Sequence, residues 1–490
     1  MPDSPMPAYT PIPKETWDAL YTLHTSLTKV LTPGLTPRPL TEVLTEAHEI
    51  FSLRASVNHP RFFSYIPSPV TPLSFLGDLL TSCYNVFSGS FEAGPAITAV
   101  ELSLTKFLSE KLGLPASTAG GIFVSGGSMA NLTALILARD QMLANNDRAK
   151  GVVYISTQTH FCIPKALRII GILQSQIRLV PCDASFRMSI PALENSILQD
   201  KAAGLRPFLV VATAGTTSTG AIDPLLDISE ICSRYNLWMH VDGAFGASAA
   251  LSNSLAHLLE GIDRADSVAW DAHKWLFQTY GCGVVLVREK KHLRGSFADS
   301  AVFMPDTDRL ENGEDENGTP NGNDVAVDLE GDEEMPNLWN YGIELTRPAR
   351  HMRLWFSMQV LGLETLGNMI DRGFESAELA EECVRGVEGW EVVAPACMAI
   401  LNVRYIGVGD NKGEGELDRI NAGVPGKLIE RNVAAISTTK FVGRVALRFC
   451  MINPLTTDED VREFVAEMDK AARELAMDGW GQVSNGHIVA

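Results

Sequence analysis

The sequence predicts an α/β protein with a large, mostly parallel sheet covered by helices on both faces and a smaller C-terminal α+β domain. Three observations carry this. Between about Thr71 and Glu289, seven short β-branched runs alternate with helix-length segments. The runs are continuously apolar, the pattern of strands covered on both faces. After an acidic stretch, helical periodicity resumes and leads into a further strand and helix, which reads as a second, smaller lobe.

The elements follow in chain order. The opening "MPDSPMPAYTPIPKE" is rich in proline, which removes an amide donor and clashes inside helices, so an extended arm is expected. From Lys14 to Leu31, Trp17, Leu20, Leu23, Leu27 and Val30 recur at spacings of three and four. This is an amphipathic helix needing a surface to cover, supplied by a partner subunit or by its own domain. Residues 1–70 therefore read as an N-terminal arm with a dimer-docking helix. The predicted strands are "GIFVSG", "GVVYIS", "IRLVPC", "PFLVVATAG", "LWMHVDG", "SVAWDAH" and "GVVLVRE", within a large domain over 71–365. Inside it, residues 306–334 hold twelve acids and one base, a net −11 of the chain's −19, leaving −8 elsewhere. So polar a segment cannot bury enough surface to offset its ordering entropy, and a mobile insertion is expected. The helical "ELTRPARHMRLWFSMQVLGLETL", the strand "RVALRFCMI" and the helix "DEDVREFVAEMDKAARELA" lead through a small domain over 366–490.

Composition narrows the function classes. At 490 residues and 46% hydrophobic, the chain fits a sizeable folded enzyme. Its acidity, with no basic patch to offset it, argues against nucleic-acid binding. Eight cysteines are scattered without a CxxC pair or finger-like histidine spacing, so reduced thiols and no metal site are expected. The N-terminus does not read as a signal peptide, and no run of about 18 apolar residues suggests a membrane span. A soluble, cytoplasmic protein is expected.

Ligands of parallel sheets bind beyond the strand carboxyl ends, where this sequence collects unusual residues. Lys274, in "DAHKWL", ends an apolar run. A lysine there is commonly a surface residue, but in an apolar setting its amine becomes a nucleophile able to form a Schiff base. Asp242 ends "LWMHVD", and a buried carboxylate needs a cationic partner such as a protonated pyridine nitrogen. In "FVSGGSMAN" a glycine pair precedes Ser128 at the head of a helix, a place for a phosphate or an ordinary N-cap. The spacing fits neither a Walker loop nor a dinucleotide fingerprint. His160, Thr213 and Ala244 also stand near strand ends, where structural roles are equally available to them.

The set "GGSMAN", "TQTH", "VVATAGTTSTGAID", "HVDGAFG" and "DAHKWL" resembles the group II pyridoxal-phosphate decarboxylases, the family of aromatic-L-amino-acid, glutamate and related decarboxylases. Coverage runs from "HPRFFSYIPS" at His59 into the C-terminal lobe. The resemblance implies a fold-type I architecture, pyridoxal 5'-phosphate as cofactor, and a homodimer with active sites near the subunit interface. By the same resemblance, Lys274 carries the cofactor covalently and Asp242 pairs with the pyridine nitrogen. His160 stacks on the ring and assists proton transfer, Ala244 packs on the opposite face, and Thr213 stands near the phenolic oxygen. Gly127 and Ser128 form the phosphate turn, with His273 beside Lys274. Asp271 departs from the animal aromatic enzymes, which have asparagine near the phosphate, and is left out of the direct contacts because a carboxylate repels a phosphate dianion.

The segment at His59 is similar to the family's substrate segment, with Tyr65, Ile66 and Pro67 as an aromatic-substrate wall. Gly362 falls where plant relatives use glycine for indolic substrates. The expected function is decarboxylation of an aromatic L-amino acid, tryptophan or its phenolic cousins, to the amine and CO2. Counting from Lys274 without gaps puts Phe303 where aromatic decarboxylases carry a proton-donating tyrosine. Phenylalanine there marks relatives that make aldehydes with oxygen, although some glutamate-type members also carry it. An oxygen-consuming aldehyde synthase, a decarboxylase of acidic or small aliphatic amino acids, and a non-catalytic cofactor-binding protein are the alternatives.

Overall fold

The computed structural model describes residues 36–52, 54–252, 254–298, 336–409 and 412–477. The expected arm, the helix over Lys14 to Leu31, Phe303 and the insertion 306–334 lie outside the described residues. The chain divides into two compact units, one over Ser68–Arg372 and one joining the segment up to Pro67 with the chain from Gly373. The sequence-based division was at 70 and 365, and the described N-terminal segment groups with the C-terminal unit.

The seven predicted runs form one sheet in the first unit: β1 (Gly120–Val124), β2 (Gly151–Ser156), β3 (Ile177–Val180), β4 (Arg206–Thr213), β5 (Trp238–Asp242), β6 (Ser267–Asp271) and β7 (Gly283–Val287). Their spatial order is β1-β7-β6-β5-β4-β2-β3. From β6 across to β3 every pairing is parallel, while β7 runs antiparallel to both of its neighbours. Every residue of β1, β2, β5, β6 and β7 is buried, which requires cover on both faces. Parallel strands cannot be joined by tight hairpins, and helices make the crossovers. These are α4 (Gly127–Met142), α5 (Cys162–Ile169), α6 (Ile190–Ala202) and α7 (Leu225–Tyr235), with α2 (Pro72–Tyr84) and α3 (Pro95–Lys111) preceding the sheet. Local chemistry sets the boundaries: Thr71 caps α2 by accepting from the Ser74 amide ahead of Pro72, and left-handed Asn85 ends it.

β1 is a sheet edge, and its outer side is closed by side chains. The Phe123 amide donates to Glu101 Oε1 at 2.8 Å, and Arg347 Nη2 donates to the Phe123 carbonyl at 2.7 Å and to Glu101 Oε1 at 2.6 Å. His351 Nδ1 lies 3.0 Å from the other carboxylate oxygen, and all three side chains are almost fully buried. This trio stands where a further strand would hydrogen-bond.

In the second unit, α1 (Leu40–Ser52) has no buried residue. The sheet there is antiparallel, ordered β10-β11-β9-β8 with β8 (Trp390–Cys397), β9 (Ile400–Tyr405), β10 (Ser437–Phe441) and β11 (Arg444–Cys450). It packs with α10 (Glu414–Glu430) and α11 (Asp458–Met477). Helix α8 (Lys291–Phe297) follows β7 in the first unit, and long helix α9 (His351–Arg385), which crosses the division after Arg372, is interrupted at Gly362 on the first-unit side, where φ is +73° and ψ 166°. Among the described residues no helix is long and apolar enough to cross a membrane.

Arg347→Met leaves Glu101 buried without its guanidinium and should cost about 3–5 kcal/mol in denaturant unfolding. Burial alone raises the Glu101 carboxyl, but Arg347 and His351 offset this and hold it well below its ordinary value of 4.5. Its folded pKa is thus the lower one, so its contribution is complete above pH 4.5 and lost as pH falls further. Stability of the native chain should drop steeply in acid, and that of Arg347→Met less so.

Candidate active site

The parallel register gathers strand ends at one edge of the sheet. Thr213, the last residue of β4, stands opposite Asp242 at the end of β5, and Asp242 opposite Ala269 in β6. The Thr213 main chain is fixed by buried Asp223, which accepts the Thr213 amide at 2.8 Å and the Met188 amide at 2.7 Å. Burial, only partly countered by these amides, pushes Asp223 up to about 6. The Thr213 hydroxyl is buried without a hydrogen-bond partner among the described residues. Asp242 is buried and accepts the Ala244 amide at 3.2 Å, yet no lysine, arginine or histidine among the described residues forms an ion pair with it.

Lys274 lies in the turn after β6. Its Nζ reaches Asp271 Oδ2 at 3.2 Å, with about a quarter of the side chain still exposed (26%). Burial disfavours the ammonium, but the Asp271 and Asp242 carboxylates outweigh it and raise the amine above its ordinary value. Asp271 is walled in by glycines. A Cβ on Gly127 would stand 2.5 Å from Oδ2, and one on Gly283 would stand 2.6 Å from Oδ1. Gly127 begins α4, so the carboxylate and the amine are packed against the first turn of that helix. Ser128, one residue on, is exposed. Ala244 packs over the same turn, 3.2 Å from the Gly127 Cβ position.

His160 precedes α5, with its Nδ1 accepting the Cys162 amide at 3.3 Å and its ring 4.2 Å from that of Phe161. Burial lowers its pKa, while Asp242, Lys274 and Asp271 all lie close enough for their charges to act on it. Lys274, Asp242 and His160 are therefore brought together. Burial also lowers His273, whose Nδ1 donates to the Cys282 carbonyl at 3.1 Å. Side chains not singled out in the sequence support this group from below. His240 Nε2 pairs with Asn131 Oδ1 at 2.7 Å, His240 Nδ1 with Ser267 at 2.9 Å, and Asn131 Nδ2 donates to Cys162 Sγ at 3.4 Å. Burial pushes His240 down to about 4, so this chain is uncharged at neutral pH. The available signal was period-two alternation, which puts His240 and Asp242 on one face of β5.

The expected substrate residues His59, Tyr65, Ile66 and Pro67 belong to the other unit. There the segment is strapped to the C-terminal lobe: Arg61 pairs with Asp460 at 2.7 Å, Phe63 donates to the Ala435 carbonyl, and Arg448 donates to the Tyr65 carbonyl. Tyr65 has φ +57° and an exposed ring. Gly362 sits at the interruption in α9, where a Cβ would meet nothing within 4 Å.

The profile of the pyridoxal-dependent decarboxylase conserved domain matches residues 34–406. An aromatic-L-amino-acid decarboxylase of Bacillus atrophaeus is 36% identical, over 91% of this chain and 87% of that protein. An L-2,4-diaminobutyrate decarboxylase of Rhizobium meliloti (strain 1021) is 33% identical, over 86% and 79%. Among solved structures, Oryza sativa TDC with PLP and tryptamine superposes with a TM-score of 0.81 at 26% identity, covering 96% of this chain and 100% of that one.

Gly127→Ala and Gly283→Ala each drive a methyl group into the Asp271 carboxylate. Each should lower stability by about 1–3 kcal/mol in thermal or denaturant unfolding. Gly362→Ala meets no atom, and any loss there comes from backbone conformation alone.

Proposed function

The chain belongs to the pyridoxal-dependent decarboxylases, and from that premise we propose that it removes the α-carboxylate of an aromatic L-amino acid, tryptophan foremost, releasing the amine and CO2. Its cofactor is pyridoxal 5'-phosphate. The residues present fit that group: an amine at a strand end, a buried carboxylate without an ion-pair partner, a buried hydroxyl without a hydrogen-bond partner and a glycine turn opening a helix. When bound, the cofactor supplies an electron sink for the pair left as the Cα–carboxylate bond breaks.

The protein's side chains do the rest. Lys274 Nζ would be the group that holds the cofactor covalently. Asp242, buried, would hold a protonated pyridine nitrogen, and Thr213 would offer its hydroxyl to the cofactor's phenolic oxygen. Gly127 and Ser128, at the positive end of α4, would hold the phosphate with His273 nearby, and Ala244 would be small enough to leave room for the ring. His160, kept neutral by burial, is available to move the proton that Cα regains. The observation that carries this reading is that Lys274 stands in the turn after β6 beside Asp242 at the end of β5, with the charges of both close enough to act on His160. An aromatic substrate is supported by the Bacillus relative and by exposed Phe161 and Tyr280 beside His160 and His273. The Rhizobium relative favours a second reading, a small aliphatic substrate carrying a second amine.

A homodimer is supported by α2, which leaves Phe75, Leu76, Leu79, Leu80 and Tyr84 exposed on one apolar helix. None of the eight cysteines, all among the described residues, forms a disulfide, which supports a reducing compartment, the cytoplasm.

Products from the standard amino acids and 2,4-diaminobutyrate, incubated with pyridoxal phosphate, are to be measured by mass spectrometry with CO2 and peroxide. Tryptamine or tyramine equal to CO2, without peroxide, is expected. Amine from diaminobutyrate alone would replace the aromatic reading, and peroxide with aldehyde would mark oxidative chemistry. Lys274→Ala should abolish amine production, and Asp242→Asn should lower kcat by about a hundredfold or more. Phe75→Glu combined with Leu79→Glu should turn a dimer into a monomer in sedimentation measurements.

A further inference from the structure

The pair between Lys274 and Asp271 has no part in the chemistry assigned above, yet both of its partners are fixed by their surroundings. Asp271 is buried, and its Oδ2 lies 3.2 Å from Lys274 Nζ. Its Oδ1 has no hydrogen-bond partner among the described residues and stands 3.6 Å from His273 Nδ1. The carboxylate cannot swing away, because the Cβ-less faces of Gly127 and Gly283 enclose both of its oxygens. Its own amide donates to the Ala244 carbonyl, and the Lys274 amide donates to the Asp271 carbonyl at 3.1 Å, so one turn fixes both partners. A buried carboxylate held this way needs a cation, and Lys274 is the one within hydrogen-bond distance.

We infer that Asp271 is a positioning residue that holds the Lys274 ammonium in place whenever the lysine is not bonded to the cofactor. This rests on the reading of Lys274 as the cofactor-bearing amine. The hold has a cost at capture. Lys274 must first lose one proton to solvent. Its nitrogen then bonds to the aldehyde carbon, the two remaining nitrogen hydrogens leave with the aldehyde oxygen as water, and a solvent proton returns to the new C=N nitrogen. Asp271 thus sets the pH at which capture becomes fast, and it supplies the docking place to which the ammonium returns each time a substrate amine displaces it.

The groups facing Lys274 are Asp271 and His273 in its own turn, Asp242 of β5, His160 ahead of α5 and Cys162 on α5. Burial keeps the Cys162 thiol neutral and disfavours charge on both histidines. Asp242 remains as a second anion, but it makes no ion pair with the amine within 4 Å.

The test mixes cofactor-free protein with pyridoxal phosphate and follows the visible absorbance of the C=N linkage as a function of pH. Native protein should capture the cofactor faster as pH rises and the ammonium is lost. Asp271→Asn keeps the shape and removes the charge, so its midpoint should move down by at least about one pH unit, with capture about tenfold faster below the native midpoint. Asp271→Ala also fits between the two glycines and should shift the midpoint the same way. Midpoints unchanged in both variants, with native circular dichroism, would overturn the inference. Linkage formation in Lys274→Ala would instead overturn the assignment of the lysine, so the two failures are distinguishable.

Discussion

Two carboxylates at the ends of neighbouring strands, Asp242 and Asp271, share the field of one ammonium, Lys274. This charge balance is the constraint around which the large unit is arranged. A parallel register is needed to bring β5 and β6 to the same edge, and a buried sheet is needed for the charges to act on one another strongly. Glycines at 127 and 283 are needed because a methyl group at either would occupy the space of the carboxylate. The neutral chain through Ser267, His240, Asn131 and Cys162 completes the arrangement, since it supports the strand bearing Asp242 without adding another charge.

The scaffold holds that edge by unequal means. β5 and β6 are flanked on both sides and need no further fixing. β1 leads into the glycine turn and has only β7 beside it, so its outer amide and carbonyl are satisfied by Glu101 and Arg347 instead. A bidentate ion pair can do this in the dry interior only because its charges are matched and its remaining donors find the Ser88 and Phe123 carbonyls.

Much of this was legible in the sequence. All seven strands were readable as β-branched, continuously apolar runs, and Lys274, Asp242, His160 and Thr213 were readable because each followed such a run. What the sequence could not express was direction and distance. Hydrophobic periodicity has no sign, so nothing marked β7 as reversed against its neighbours. Repulsion of a phosphate counts against Asp271 when the sequence is read alone, but its other electrostatic neighbour is Lys274 three residues on, which only the folded turn brings to 3.2 Å. The Glu101–Arg347 pair joins residues 246 apart, and the strap of Arg61 and Arg448 around segment 59–67 is likewise long-range, so no local pattern announced either. Within the segment after β1, by contrast, the glycine pair is a purely local signal, and it does open a helix.

The reversed strand also governs how the site comes into being. β7 separates β1 from β6, and Gly283 pairs with Val124 on one side and with Asp271 on the other. Until the chain has been made through Val287, the glycine turn at the end of β1 has no neighbour through which to join the rest of the sheet. The last-made strand is the central wedge of the finished site, which places the contacts that close it among the most non-local in the unit and delays them in folding. A nascent chain stalled before β7 therefore carries Lys274 and Asp271 already synthesised but without the wall at Gly283, so the enclosure of the Asp271 carboxylate is completed only when β7 docks.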